Sequence, residues 1–165
     1  MPIQLGIVHG FMGGNAAQCT GTLTQLALTG DMITFTNFPT NIAAPVPSGF
    51  VDGSTSTRGY HTDAGSGVVQ PETTHFDVDL GADNEQAITK ARLYGGTLDT
   101  WRIEYSDDGS SWSTAYDGLY VGSTMAWCEA EWDCVGKHRY WRFVKTDVAV
   151  TTGTFTTELE LYAWQ

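Results

Sequence analysis

Apolar and polar residues alternate with a period of two along several short segments of the chain. Within residues 75–80, the side chains of Phe76, Val78 and Leu80 fall on one face and polar side chains fall on the other. This alternation is typical of a β-strand with one buried face. The pattern predicts further strands in five other segments, residues 32–36, 88–94, 101–105, 140–144 and 155–162.

Turn-forming residues separate these segments. They include Gly95-Gly96 and the run Ser-Asp-Asp-Gly-Ser at residues 106–110. Glycine permits a positive φ, and Asp and Ser side chains bond to their own backbone in turns. No window of ten or more residues keeps apolar positions at helical spacing. The sequence therefore predicts an all-β chain, folded as an antiparallel sandwich or barrel.

The amino-terminal third differs from the rest of the chain. Residues 1–30 alternate weakly, and Pro39, Pro45 and Pro47 interrupt the following stretch. Because proline is confined to strand edges and loops, we place a boundary there, which divides the chain into residues 1–45 and 46–165. Two interpretations of the first part stay open. It supplies extra strands to the sandwich, or it is an arm that docks on a partner.

The net charge of the chain limits the classes of partner that it is expected to bind. Eight Lys and Arg against nineteen Asp and Glu give a net charge of −11. Nucleic acids and anionic membranes are bound through clustered basic residues, so neither is expected as a partner. The first basic residue is Arg58, so the amino terminus lacks the positive region of a secretory signal, and we expect a leaderless or already processed chain. No stretch is apolar and long enough for a transmembrane helix.

Three cysteines leave at least one thiol unpaired. Cys128 and Cys134 are close in sequence, and two partly buried thiols or a local disulfide between them are about equally favoured. A zinc site is less favoured, because the spacing is not that of a C-x2-C pair and no His pair accompanies it.

The sequence contains no catalytic motif. The G-x-S-x-G, H-E-x-x-H and phosphate-loop patterns are missing. Paired acids such as Asp77/Asp79 and Glu158/Glu160 are expected on solvated strand faces. We therefore predict that the chain is not an enzyme.

Residues 50–163 carry several short motifs in a fixed order. They are Asp52-Gly53 followed by Tyr60-His61, V-D-L-G at 78–81, S-x-D-G-x-x-W at 106–112, R-Y-W-R-F at 139–143 and E-L-E-L-Y at 158–162. In this respect the chain resembles the discoidin family, also called coagulation factor 5/8 type C or galactose-binding-like domains. The resemblance implies an antiparallel jelly-roll β-sandwich, here with an amino-terminal extension.

The resemblance also implies a structural calcium ion. The loop of residues 52–57 is rich in carboxylate, hydroxyl and carbonyl oxygens, which are the donors that Ca²⁺ prefers. In carbohydrate-binding members of the family, such a loop and the Glu that opens the last strand hold calcium. The matching ligands are Asp52, Thr55, Thr57 and Glu158. Ser54 stands where the family usually has Asp or Asn.

The same resemblance places ligand binding on loops at one end of the sandwich. His61 matches the family's His position, whereas Gly95-Gly96 occupies the position of its Arg. The aromatic residues Tyr60, Trp127 and Trp132 are candidates for stacking on a sugar, and plugging the sandwich end or forming a protein interface is the alternative. The predicted ligand-binding residues are therefore His61, Tyr60, Trp127 and Trp132.

A leaderless acidic module with an almost uncharged arm resembles virion accessory proteins of tailed phages and gene transfer agents, where such domains decorate tail fibres, baseplates or head spikes. The leading hypothesis is a non-enzymatic module of a virion spike or fibre that recognises host-surface polysaccharide. Residues 1–45 would dock on other virion subunits in an oligomeric assembly. The alternatives are a structural adaptor that binds no sugar and an extracellular carbohydrate-binding module of a secreted glycoside hydrolase.

Overall fold

Ten β-strands build the described part of the chain. The computed structural model describes residues 19–37, 46–57, 59–62, 71–73, 75–96, 98–147 and 154–165, with backbone only for 60–62 and 154–155. The strands are β1 (Leu23–Gln25), β2 (Ile33–Thr36), β3 (Tyr60–Thr62), β4 (His75–Asp79), β5 (Ala87–Gly95), β6 (Asp99–Ser106), β7 (Ser113–Val121), β8 (Ala126–Glu131), β9 (Tyr140–Lys145) and β10 (Thr154–Trp164). Two short 3-10 turns, Gly30–Met32 and Pro47–Phe50, are the helical segments of the described residues.

The strands form two five-stranded sheets. The first sheet has the order β1-β10-β5-β8, with β3 also paired to β10, and the second has the order β2-β4-β9-β6-β7. Every strand pair is antiparallel. The all-β antiparallel prediction is confirmed, and the six predicted strands correspond to β2, β4, β5, β6, β9 and β10.

Part of the amino-terminal third lies within the sandwich. Strand β1 pairs with β10, and β2 pairs with β4, so residues 23–36 add one strand to each sheet. Residues 1–18 and 38–45 are outside the described residues. The division between residues 45 and 46 stays a prediction.

The core between the two sheets is built from the inward residues of the alternating strands. Phe76 stacks on Phe143 with ring centroids 4.6 Å apart, and Phe50 packs edge-on against Phe76 at 4.9 Å. Trp141 and Phe143 are fully buried, one residue either side of the outward-facing Arg142. Offset-stacked and edge-to-face aromatic pairs of this kind stabilise a core beyond the area that they bury.

One charged group interrupts this apolar interior. Lys145, at the end of β9, is fully buried and its ammonium group contacts the carboxylates of Asp99 and Asp147. A buried ammonium ion is tolerated because it is paired, and removing a partner would leave an uncompensated charge. This cluster fixes the end of β9 against the start of β6.

The disulfide differs from both sequence expectations. Cys134 is bonded to Cys19, with Cα atoms 5.7 Å apart, and Cys128 is free. Cys128 lies within β8 opposite Leu93 and packs against the core, whereas Cys134 follows the end of that strand. A local bridge between Cys128 and Cys134 does not form, because β8 holds the two cysteines apart.

Candidate functional site

Trp127 is held on the outer face of the first sheet, near the start of β8. Its ring lies beneath the guanidinium group of Arg92, 4.2 Å from Cζ to the ring centroid. The ring of Tyr94, directly opposite on β5, packs edge-on against it at 5.4 Å between centroids. The sequence placed Trp127 near a loop tip, but the structure places it in a strand, where neighbouring side chains fix its ring.

Arg92 is itself held by acidic and phenolic groups on β10. Its Nη1 atom donates to a carboxylate oxygen of Glu160 at 2.7 Å and to the hydroxyl of Tyr162 at 3.4 Å. The hydrogen bond to Tyr162 and the charge of Glu160 raise the pKa of Arg92 above its ordinary value. The guanidinium group is therefore a fixed positive charge beside the half-buried indole of Trp127.

Tyr60 and His61 lie at the same end of this sheet as Trp127. In strand register, Tyr60 pairs with Thr156, Thr156 pairs with Gly95, and Gly95 pairs with Ala126. Ala126 is the residue before Trp127. This row crosses three strand spacings, roughly 14 Å. The side chains of Tyr60 and His61 are outside the described part of the chain.

Trp132 lies apart from the other three predicted residues. Its Nε1 donates to the carbonyl of Ile88 at 2.9 Å, and its backbone N–H bonds to Thr89. Thr89 is roughly 20 Å along β5 from Gly95. Trp132 therefore lies away from the end of the sheet that carries Tyr60 and His61, because β8 runs away from that end before it reaches Trp132.

The predicted calcium loop meets β10 at Glu158. One carboxylate oxygen of Glu158 accepts a hydrogen bond from the backbone N–H of Gly53 at 3.1 Å. Asp52 accepts one from Ser54 at 2.8 Å, which turns the loop back on itself. Thr55 and Thr57 are exposed on the same loop. The structure brings Glu158 to the start of the loop.

The sequence predicted that Glu158 lies on a solvated strand face, and this prediction is wrong because the structure buries the residue. Only 2% of the residue is exposed, and its Oε2 atom is buried without a hydrogen-bond partner among the described residues. Burial, with the Asp52 carboxylate nearby, raises the pKa of Glu158 to about 7. A buried carboxylate oxygen without a donor is suited to a cation, because ionised oxygen is costly to bury unpaired.

This loop offers few side-chain ligands for a metal. Within the described residues, no group of three or more His, Cys, Asp and Glu side chains is arranged to hold a metal ion. A cation beside Glu158 would therefore need main-chain carbonyl and hydroxyl oxygens as well, and Ca²⁺ accepts such donors.

Sequence reasoning missed Arg92 and Tyr94. The motif comparison sought an Arg after Tyr94, where the chain has Gly95-Gly96. The signal that could have found both residues is the alternation of β5, since Lys90, Arg92 and Tyr94 are its outward positions and Leu93 points into the core.

The described residues contain no helix long and apolar enough to cross a membrane. On the outer face of the first sheet, ion pairs join two basic residues of β5 to acidic residues of the neighbouring strands. Lys90 pairs with Glu129 and Glu131 of β8, and Arg92 pairs with Glu129 and with Glu160 of β10. That face is polar and also carries the half-buried aromatic rings of Tyr94, Trp127 and Tyr162.

Comparison with known proteins identifies solved structures that have a similar fold. No family model and no curated protein matches the chain. Among solved structures, the family 32 carbohydrate-binding module (CBM32) of AlyQ in complex with 4,5-unsaturated mannuronic acid has a TM-score of 0.58 at 19% identity, over 78% of this chain and 92% of that one.

Two further structures extend the comparison. The fifth CBM32 of a family 89 glycoside hydrolase from Clostridium perfringens, in complex with GalNAc-β-1,3-galactose, has a TM-score of 0.62 at 15% identity, over 85% of this chain and all of that one (100%). A truncated AlyQ with CBM32 and alginate lyase domains gives 0.64 at 18% identity, over 88% of this chain and 35% of that one. The chain therefore has the jelly-roll β-sandwich fold of family 32 carbohydrate-binding modules, which is the galactose-binding-like fold.

Proposed function

We propose that this chain is a non-catalytic carbohydrate-binding module that holds a glycan at the end of the first sheet, beside Trp127. The observation that carries the proposal is the indole ring of Trp127, fixed by Arg92 and Tyr94 at the end of the sheet that also carries Tyr60 and His61. The ligands named for the AlyQ and Clostridium perfringens modules are sugars, which supports the same class of ligand for this fold.

The chemistry of this site suits a sugar. Amphipathic aromatic rings are common in binding sites, because they bury apolar area at low cost in side-chain entropy. Packing against Arg92 and Tyr94 orients the ring of Trp127 before a ligand arrives, which lowers the entropy cost of binding. The sugar's apolar C–H face would cover the indole, and its hydroxyl groups would meet the polar rim.

A glycan array followed by titration calorimetry on the best ligand tests this function. We expect Trp127→Ala and His61→Ala to weaken binding more than tenfold, or by about 1.4 kcal/mol or more. Trp112→Ala is a matched control, because it removes an indole ring that is also covered by an arginine, but on the other sheet. The Cζ atom of Arg142 lies 4.2 Å from the ring centroid of Trp112, as Arg92 does from Trp127. No glycan bound, or an equal loss with Trp112→Ala, would overturn the proposal.

At a finer level, we propose that the module belongs to a virion spike or fibre and recognises host-surface polysaccharide. Its net charge of −11 supports a partner other than nucleic acid or an anionic membrane. Residues 1–45 would dock on other virion subunits. If the chain binds capsid or fibre subunits and no polysaccharide, the structural adaptor is the better description.

A module of a secreted glycan-degrading enzyme is the second candidate, favoured by the disulfide between Cys19 and Cys134. Disulfides form and persist mainly in oxidising compartments outside the cytosol. The AlyQ structure with its lyase domain shows the same fold within an enzyme chain. Counting free thiols in the protein from its native source separates the two settings: one thiol indicates an oxidised chain and three a reduced one.

We also propose that a calcium ion joins the loop of residues 52–57 to β10. Glu158 would supply the carboxylate, and Asp52, Thr55 and Thr57 would supply further oxygens. The support is the buried, unpartnered oxygen of Glu158 at the start of this loop. A bound Ca²⁺ neutralises such a carboxylate and fixes the loop around it.

A further inference from the structure

A groove runs along the open side of the sandwich, between the edge strand of each sheet. It has a volume of about 530 Å³ and is lined by Ala115, Tyr116, Glu131, Trp132, Asp133 and Val135. The first two residues belong to β7, and the other four belong to the end of β8 and the connection that follows it. The groove is shallow and largely open to solvent, so a ligand would lie along it rather than be enclosed by it.

Two aromatic rings in contact with each other form part of the surface of this groove. The centroids of Tyr116 and Trp132 are 6.3 Å apart, and their planes differ by 38°. The hydrogen bond from Trp132 Nε1 to Ile88 and the packing of Trp132 against Trp141, at 6.0 Å between centroids, fix the indole. The hydroxyl of Tyr116 has no hydrogen-bond partner among the described residues. The rings therefore offer an apolar surface with a polar group at its edge.

The charged groups of the groove are both acidic. Its lining includes the carboxylates of Glu131 and Asp133 and no Lys or Arg. Lys90, which lies on the outer face of β5, contacts Glu131 at 2.8 Å and so partly neutralises it. Asp133 is exposed and has no ion pair or hydrogen bond to any described residue. A ligand that fills the groove next to Asp133 would meet an uncompensated negative charge.

We propose that this groove is a second binding site, distinct from the site at Trp127, and that it takes an amine-bearing sugar such as a glucosamine unit of a longer chain. The pyranose ring would lie against Tyr116 and Trp132, and its ammonium group would pair with Asp133. Cations are also attracted to the faces of aromatic rings, which adds to the pairing with Asp133.

The shape of the neighbouring edge strand favours a sugar over a basic peptide. A peptide would add to the edge of β7 by regular backbone hydrogen bonds. The pairing of β6 with β7 shifts register on both sides of Tyr116, at Ala115 and at Gly118, whose φ is +102°. Such bulges twist an edge and interrupt the ladder that an added strand needs.

Titration calorimetry with a glucosamine oligomer and with the N-acetylated oligomer of the same length tests this site, at a pH where the amine is protonated. We expect the glucosamine oligomer to bind about threefold to fivefold more tightly, because acetylation removes the charge. Asp133→Asn should lower that affinity by a similar factor, about the contribution of one exposed ion pair. Tyr116→Ala should lower it further.

Three control variants test whether the oligomer binds in the groove itself. Asp117→Asn makes the same charge change at an exposed position of β7, and Tyr120→Ala removes an exposed ring from that strand. Neither should change the affinity for the glucosamine oligomer. Repeating the titrations in a Trp127→Ala background removes the first proposed site, so the binding that remains and depends on Asp133 is assigned to the groove.

Three results would overturn the proposal. One is equal affinity for the two oligomers. Another is an equal loss with Asp117→Asn, which would indicate attraction to the acidic protein as a whole. The third is binding of a lysine oligomer that depends on Asp133 while the glucosamine oligomer does not bind, which would make the groove a peptide site.

Discussion

A carboxylate that is buried without a full set of donors destabilises a fold, and Glu158 is such a group. Its Oε1 atom accepts from Gly53, whereas Oε2 has no partner among the described residues. An unsatisfied buried acceptor costs about 1–3 kcal/mol, and more when it is charged. Uptake of a proton, which the raised pKa of Glu158 favours, or a bound cation would offset this cost.

Removing calcium tests this arrangement. We expect calcium at about 100 times its Kd to stabilise the chain by about 2.7 kcal/mol relative to excess EDTA, which raises the melting temperature by about 5–10 °C. Glu158→Gln keeps an oxygen that can accept from Gly53 but removes the charge, so its melts should coincide in calcium and EDTA.

Glu160→Gln is the matched control for that experiment. Glu160 lies two residues further along β10 and pairs with Arg92, away from the loop. Its variant should keep the full response to calcium. Melts of the unmodified chain that superimpose with calcium and EDTA would contradict a bound calcium ion.

At the candidate site, the sequence reveals the types of the functional side chains but not their contacts with one another. The aromatic character of Trp127 and Trp132 was visible in the sequence, but their separation depends on the register of β8 against β5. The alternation of β5 indicates that Arg92 points outward, but its contact with Trp127 joins two strands that are distant in the sequence. Contacts of this kind are set by register, and no local pattern encodes them.

At the scale of elements, strands with large apolar inward residues were predictable, including the edge strand β2, whereas the other edge strands, β1, β3, β7 and β8, were not. In β8 the inward positions are Cys128 and Ala130, whose small side chains give weak alternation. In β7 the bulges at Ala115 and Gly118 break the period of two. The strands β1 and β3 have three residues each, which is too few for a periodic signal.

The disulfide joins two such elements across a long stretch of sequence. Cys19 precedes β1, Cys134 follows β8, and they are 115 residues apart. Spacing in the sequence could not reveal the partner of Cys134, because the pairing depends on β1 adding to β10. The bond ties the amino-terminal strand to the connection that carries Asp133 and Val135.

Loss of this bond should destabilise the chain measurably. We expect Cys19→Ser to lower the free energy of unfolding by about 2–4 kcal/mol, since the disulfide restricts a long loop in the unfolded state. Urea denaturation measures the change. Cys128→Ser is the control and should have a much smaller effect, because Cys128 forms no bond. Unfolding midpoints that do not change when the disulfide is reduced would contradict a stabilising role.

For the whole molecule, the main question is whether residues 1–45 form an arm or part of the sandwich. Strands β1 and β2 extend opposite sheets, and Ile33 in β2 is buried. Phe35 packs against Phe50 at 5.3 Å between ring centroids. Residues 23–36 therefore contribute to the core, even though docking on a partner is proposed for the segment that includes them.

Truncation distinguishes a separable arm from integral strands. A chain of residues 46–165 lacks β1, β2 and Cys19, and it exposes edges of β10 and β4 that invite aggregation. Losing the burial of Ile33 alone removes about 1.5–3 kcal/mol. We therefore expect this chain to melt well below Cys19→Ser, which lacks the disulfide but keeps both strands.

A chain of residues 19–165 is the matched reference for this truncation, because it keeps β1, β2 and the disulfide. Scanning calorimetry and size-exclusion chromatography report melting and aggregation together. If residues 46–165 stay monomeric and melt with Cys19→Ser, the boundary between residues 45 and 46 is a true domain boundary. In that case β1 and β2 add little to the sandwich, and the whole segment is free to serve as a docking arm.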